Sequence, residues 1–303
     1  MKKIIARLRQ FLLVNTSSKQ TVIKNTFWLI LAEWVSKWSI AIITILIWRL
    51  FGTEVFGIYS YRWVILAFLL IFADLGLTTL LIRDYQHLAS HERSHYLSQW
   101  LKTKWLLSIW VILIFGIILV LSTDDLVIRQ VGVMLLLYSL TSSFLEYLRG
   151  SFRSLQRSQV EFQIKLIQGV GNLCIIPLLF FVSSIVSIIG AQALVCIITI
   201  IYAWYTIQKK QDINTYSKNQ EYQINRVELL KSGWMFAMSG VFVSIYYYVD
   251  SLILKIYRDY AEVGIYNAAY RLAFMFTLPI TILWNAIMPK LRALIIKSKK
   301  EFR

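Results

Sequence analysis

Covalent and metal staples are almost missing from this chain. Its 303 residues include two cysteines, Cys174 and Cys196, and both fall inside apolar runs, where they read as small core residues rather than as a disulfide or metal framework. Proline is scarce, with three copies, and glycine has twelve, so few positions interrupt a helix. Acidic side chains number 16 against 32 Lys and Arg, a net charge of +16. No Gly-x-x-x-x-Gly-Lys-Ser/Thr loop occurs, which leaves ATP hydrolysis without a phosphate cradle. The opening does not read as a secretory leader: the basic stretch 1–10 is followed by only four apolar residues, 11–14, against roughly 7–15 in a signal-peptide core. It reads instead as a short amphipathic helix on the inner membrane surface.

What the chain has in abundance is apolar surface. Hydrophobic residues make up 58% and the mean hydropathy is +0.61, above the roughly 45–50% apolar share of soluble domains. The charges, 16% of the chain, cluster between long apolar runs at 27–50, 56–82, 105–121, 126–148, 162–182, 185–207, 233–256 and 263–288. Each run is close to the roughly 20 residues that cross a bilayer as a helix and is too long for a barrel strand. The expectation is an all-α integral membrane protein with eight transmembrane helices.

Basic residues set the orientation. Of the 32 Lys and Arg, 25 lie at the N-terminus, the C-terminus and alternate loops, including the groups around Arg83–Lys104, Arg149–Lys165 and Lys209–Lys231. This bias puts both termini in the cytoplasm of a cell whose plasma (inner) membrane the chain crosses many times. Anionic lipid headgroups, not nucleic acid, account for the positive charge, because the basic residues follow the loops rather than one motif.

A repeat divides the chain. Lys24 precedes one span, and Glu54-Val55-Phe56-Gly57-Ile58-Tyr59 opens the next; Lys231 precedes another, and Glu262-Val263-Gly264-Ile265-Tyr266 opens its successor. The offset is 207 residues for Lys24/Lys231, Gly57/Gly264, Ile58/Ile265 and Tyr59/Tyr266. An arginine follows in each copy, Arg62 and Arg271. Transporters are often duplicated in this way. The organisation read from it is a cytoplasmic amphipathic N-terminus at 1–26, a six-helix lobe at 27–207, a cytoplasmic linker at 208–232, and two helices of a second lobe at 233–303. A second lobe with only two helices reads as a fragment or as a reduced form.

The stretch Leu50 to Ser60, followed by Ala73-Asp74-Leu75-Gly76-Leu77 and Arg83, resembles the first two helices of the polysaccharide transporter family, the Wzx-type flippases of lipid-linked oligosaccharides. Arg149-Gly150-Ser151-Phe152-Arg153 with Gln156-Arg157 is similar to that family's loop between its fourth and fifth helices. Asp250 with Val263-Gly264-Ile265-Tyr266-Asn267-Ala268-Ala269-Tyr270 is similar to the start of its second lobe. The resemblance implies the multidrug/oligosaccharidyl-lipid/polysaccharide exporter fold, with two helical bundles facing each other across a cavity. It also implies transport by alternating access of a polyprenyl-diphosphate oligosaccharide, as in O-antigen and lipopolysaccharide assembly. The implied partners are the bilayer, the lipid-linked oligosaccharide, and a polysaccharide polymerase with its chain-length proteins. No cofactor is implied. Other readings are a drug/cation antiporter of the same superfamily, a non-transporting remnant, or a membrane glycosyltransferase, for which the outer loops are too short.

Charge inside a membrane is costly, roughly 2.5–3.5 kcal/mol by insertion scales, so each such residue is a functional candidate. Lys37, Arg62 and Arg271 are the basic ones, suited to a diphosphate, and Asn267 is placed with them in the substrate-binding set. The competing reading is that Arg62 and Arg271 snorkel to an interface, while Glu33, four residues before Lys37, neutralises it on one helical face. Asp74, Asp250 and Glu33 are the candidates for ion or proton coupling, with helix capping as the rival role of the two aspartates. Glu146 and Arg149 form an expected structural pair. Asn172, Gln192, Asn267 and Asn285 either bridge helices or meet sugar hydroxyls, with bridging ranked first, and Pro177 and Pro279 are expected kinks. Asp124-Asp125 reads as a turn. His87, His91 and His95 repeat every four residues, a metal-like spacing that no second motif supports, so they read as a solvated connector.

Overall fold

The computed structural model describes residues 18–275, apart from 89, 123–124, 156, 182–183 and 211–225. Among these residues the chain is helical throughout: α1 (Ser18–Asp74), α2 (Leu77–Asp84), a 3₁₀ turn (Tyr85–His87), α3 (Ser90–Ser122), α4 (Leu126–Ser154), α5 (Ser158–Cys174), α6 (Ile176–Phe181), α7 (Ile185–Lys210), α8 (Arg226–Tyr257) and α9 (Tyr260–Met275). Five helical stretches among the described residues are long and apolar enough to cross a bilayer: Glu33–Asp74, His95–Ser122, Leu126–Ser154, Ile185–Lys209 and Lys231–Tyr257. The all-α membrane fold expected from the hydropathy pattern is the fold observed.

The first of these stretches covers most of two of the expected runs, 27–50 and 56–82. A straight helix over the 57 residues of α1 would be about 85 Å long, far more than the roughly 30 Å of hydrocarbon. Gly52 breaks it, with φ 81° and ψ 176°, a conformation that is essentially reserved for glycine. The chain folds back there. Ile43 and Ile47 share one apolar cluster with Phe56, Tyr59 and Leu66, and Lys37 lines the same cavity as Val64, although a straight helix would separate that last pair by about 40 Å.

A kink after Asp74 interrupts the expected run 56–82. Leu75 (φ 42°) and Gly76 (φ 74°) take left-handed conformations, and the Asp74 carboxylate accepts from the Thr78 amide at 3.3 Å and the Thr78 hydroxyl at 2.6 Å. Between α3 and α4, Asp125 caps α4 by accepting from the amides of Val127 (2.8 Å) and Ile128 (3.4 Å). This satisfies donors that have no partner within the helix and matches the turn expected there; Asp124 lies outside the described residues. The run 162–182 is not one helix but two, α5 and α6, interrupted at Ile175. Pro177 has no N–H to continue the ladder, so it sits in the first turn of the new helix. Pro279 and Asn285 lie outside the described residues.

Two apolar clusters hold the bundle together, one at each end. The first joins Ile43, Phe56 and Leu66 of α1 to Phe115, Val131, Leu135 and the start of α7 around Ile188. The second joins Leu77–Tyr85 to Tyr96 and Trp100, to the end of α4 at Leu148 and Phe152, and to Ile164 and Ile207. Cys196 is buried in the first cluster, but Cys174 is exposed, so its expected core role is corrected. Helices α8 and α9 pack on α1, and α8 approaches it through Gly233, where a Cβ would lie 2.3 Å from the Leu75 carbonyl oxygen.

Candidate functional site

Where α1, α4, α7, α8 and α9 meet, they enclose a cavity of about 590 Å³. Its wall is largely apolar, but two cations line it, Lys37 and Arg271, together with Thr44, Ser142, Gln192 and Asn267. Among the described residues no carboxylate lines it. Nine of the twenty-one lining side chains are aromatic, against 15% of the whole chain, so the wall offers flat π faces beside positive charge.

Arg271 is anchored from both halves of α1. Its Nη1 donates to the Thr44 hydroxyl at 3.3 Å, and its guanidinium carbon lies 5.4 Å from the ring centroids of Phe56 and Tyr59. Among the described residues no acid pairs with it. The aromatic faces supply partial compensation by cation–π attraction, and the fork remains suited to an anion. Asn267 is buried; its amide donates to the Val263 carbonyl at 2.9 Å and its oxygen accepts from Ser251 at 3.2 Å. It therefore bridges α8 and α9 while also facing the cavity.

Lys37 lies 4.0 Å from Glu33, and its side chain is 41% exposed. Glu33 is shared, because Lys165 donates to it as well. From there the charges alternate through the lobe: Lys165 lies 3.4 Å from Glu161, Arg153 donates to Glu161 at 2.5 Å and to Glu146 at 3.1 Å, and Arg149 completes the row by pairing with Glu146 and donating to Gln168 at 2.8 Å. Glu161 is fully buried, and Lys165 and Arg149 nearly so. The sequence reading placed Lys165, Arg149 and Arg153 among cytoplasmic loop cations. The loop assignment is corrected, since all three lie in helices and pair with a glutamate; the expected Glu146–Arg149 pair is present, and the burial of Lys165 and Arg149 is sustained by that pairing. The Glu161/Lys165 spacing of four residues was the available signal.

A smaller cavity of about 330 Å³ lies alongside and shares Trp63 and Ser142 with the first. It is lined by Asp74, Thr78, Ser139, Ser143, Glu146 and Arg149. Asp74 is held by Lys104, whose ammonium donates at 2.5 Å and whose side chain is fully buried. Lys104, read from the sequence as a loop cation, is thus internal too.

Arg62 is placed elsewhere. It lines neither cavity; it is fully buried, and none of its three guanidinium nitrogens has a hydrogen-bond partner among the described residues. The Tyr61 ring centroid lies 5.9 Å from its guanidinium carbon. Asp250 accepts from the Tyr266 hydroxyl and from the Ser251 amide at 2.8 Å, which ties α8 to α9. His87 bonds Gln86 and His95 bonds Gln99. His87 ends the 3₁₀ turn, and the extended Leu88 separates it from α3, so the helical register assumed for the three histidines is not kept.

The two copies of the repeat touch at a reciprocal glycine contact. A Cβ on Gly57 would lie 1.7 Å from the Tyr260 carbonyl oxygen, and one on Gly264 would lie 2.0 Å from that of Thr53. Thr53 and Tyr260 are themselves 207 residues apart, so each copy presents the same patch to the other.

A family model described as polysaccharide biosynthesis protein matches residues 22–293. Comparison with curated proteins and with solved structures finds no match.

Proposed function

Because the chain belongs to the polysaccharide biosynthesis protein family, we propose that it is a flippase that carries a polyprenyl-diphosphate-linked oligosaccharide across the inner membrane by alternating access. The observation that carries this reading is the positive, aromatic-rich cavity between α1, α4 and α7 on one side and α8–α9 on the other, with Lys37 and Arg271 on its wall and no carboxylate among its described lining residues. Such a site favours an anionic headgroup, whereas a drug/cation antiporter calls for acids there. Arg271 and Lys37 hold the diphosphate and Asn267 assists. Arg62, closed off in the state described, reaches the headgroup only after the helices around it part. The N-terminus lies in the cytoplasm, which makes the Gly57–Gly264 contact the outer closure of the cavity. The chain acts as a transporter rather than an enzyme and hands its cargo to a polymerase with its chain-length proteins.

An ion gradient drives the cycle, with Asp74, Glu33 and Asp250 as the groups that respond. Asp74 lines the smaller cavity and holds the buried Lys104, while Glu33 is shared by the cavity residue Lys37 and the buried Lys165, so an ion arriving at either carboxylate would release a cation within the lobe. The test is reconstitution in liposomes loaded on one face with a labelled polyprenyl-diphosphate oligosaccharide. Passage of the sugar to the other face should follow, and it should stop with Arg271→Met. Passage that survives both Arg271→Met and Lys37→Met, or its absence from well-folded preparations of the wild type, would sink the reading.

A further inference from the structure

Resting on the flippase reading, we infer that the cavity has a separate saccharide subsite, in which a pyranose ring lies against the aromatic wall of α8 and α9 and gives a hydroxyl to Gln192 of α7. Two independent observations carry it. The first is the wall. Tyr270 and Phe274 are one turn apart on α9 and nearly parallel, 6.2 Å between centroids at 17°. Tyr247 of α8 meets Phe274 edge-on at 5.5 Å and 86°, and Tyr248 also faces the cavity. One side of the space is therefore lined by four aromatic side chains, three of which carry a phenol hydroxyl.

The second is Gln192. It is 2% exposed, it faces the cavity, and its side-chain oxygen has no hydrogen-bond partner among the described residues. An unsatisfied buried acceptor is a standing cost that a donor from the ligand would relieve. A pyranose ring matches this pairing of surfaces: its C–H face is apolar and covers an aromatic ring, while its rim carries hydroxyl donors. The diphosphate is a poor match for either surface and belongs at Arg271. Since Gln192 stands on the first lobe and the aromatic wall on α8–α9, a bound ring would bridge the two.

The experiment compares two probes on the purified wild-type protein in nanodiscs: the polyprenyl diphosphate bearing its saccharide, and the same lipid diphosphate without sugar. Binding is read by quenching of tryptophan fluorescence, to which Trp48 and Trp63 of the cavity wall contribute. Tyr270→Ala and Gln192→Leu should each weaken the sugar-bearing probe about tenfold and leave the bare lipid diphosphate unchanged. Tyr270→Trp should restore the preference, which separates a lost ring from a misfolded helix. Equal losses on both probes in Tyr270→Ala and Gln192→Leu, or no loss on either, would overturn the subsite while leaving Arg271 and transport intact. Failure of the wild type to bind either probe would overturn the flippase reading, and the subsite with it.

Discussion

Gly57 and Gly264 stand back to back, each occupying a space that the other half of the repeat leaves too small for a methyl group. Replacement of either by valine drives a side chain into backbone carbonyl oxygen, 1.7 Å away at position 57 and 2.0 Å at position 264, and backbone cannot step aside as a flexible side chain can. Each change should cost about 3 kcal/mol or more, seen as a lower melting temperature in detergent. The two costs should be close to equal, because the contact is reciprocal. Markedly unequal costs would refute that symmetry.

Gly52→Ala is expected to fail for a different reason. Nothing lies within 4 Å of the place its methyl group would take, but φ is +81°, so the loss of about 1–3 kcal/mol comes from the backbone conformation alone. D-alanine at this position, introduced by chemical ligation, should restore the stability that L-alanine removes.

Glu161→Gln removes a fully buried charge that faces Arg153 and Lys165. Stranding buried cations costs about 3–5 kcal/mol, and a thermal shift of that size should appear. A double-mutant cycle between Glu161 and Arg153 should return a coupling energy above about 0.5 kcal/mol; additive effects would mean that the pair is decorative.

Arg62→Met is expected to leave stability unchanged or to raise it by about 1–3 kcal/mol, since methionine removes three buried donors that lack partners. Transport should nevertheless be lost, because the headgroup would meet no cation there when the helices part. Full transport by this variant would remove Arg62 from the substrate path.

Burial raises the Tyr85 phenol well above its ordinary value, against the opposing pull of Arg93 and Arg157. The unfolded chain therefore releases this proton first. The stabilisation is complete below the ordinary phenol value near pH 10 and is lost as pH rises from there towards the folded-state value. Alkaline titration of stability should show a falling limb above about pH 10 that is shallower in Tyr85→Phe.

The all-α class and the helices over 105–121, 126–148, 185–207 and 233–256 were legible, because lipid imposes one simple requirement on composition and length. The hairpin at Gly52 was legible as a gap between two runs. The break at Ile175 was legible through Pro177 alone, since hydropathy continues across it. Side-chain direction was the larger loss. Arg62 and Arg271 follow the two repeat motifs at similar distances, yet one is sealed and the other lines the cavity, because helix rotation is decided by packing and not by spacing. The Glu146–Arg149 pair was legible from its spacing, whereas Lys104 and Lys165 were read as loop charges because a sequence shows their proximity to a span end but not the Asp74 and Glu33 brought to them by other parts of the fold. Gln192 was singled out correctly as polar and intramembrane, but its unmet acceptor is visible only in three dimensions.

The row of alternating signs through α1, α4 and α5 limits how the first lobe can deform. Slipping any of these helices by one turn, about 5.4 Å, would break the Glu33–Lys165 pair, the Arg153–Glu161 pair, or both. Such a bundle transmits a push as a solid block. The pliant points are then the glycine joints at 52 and 76, and the travel of the machine is set by how far those two can swing.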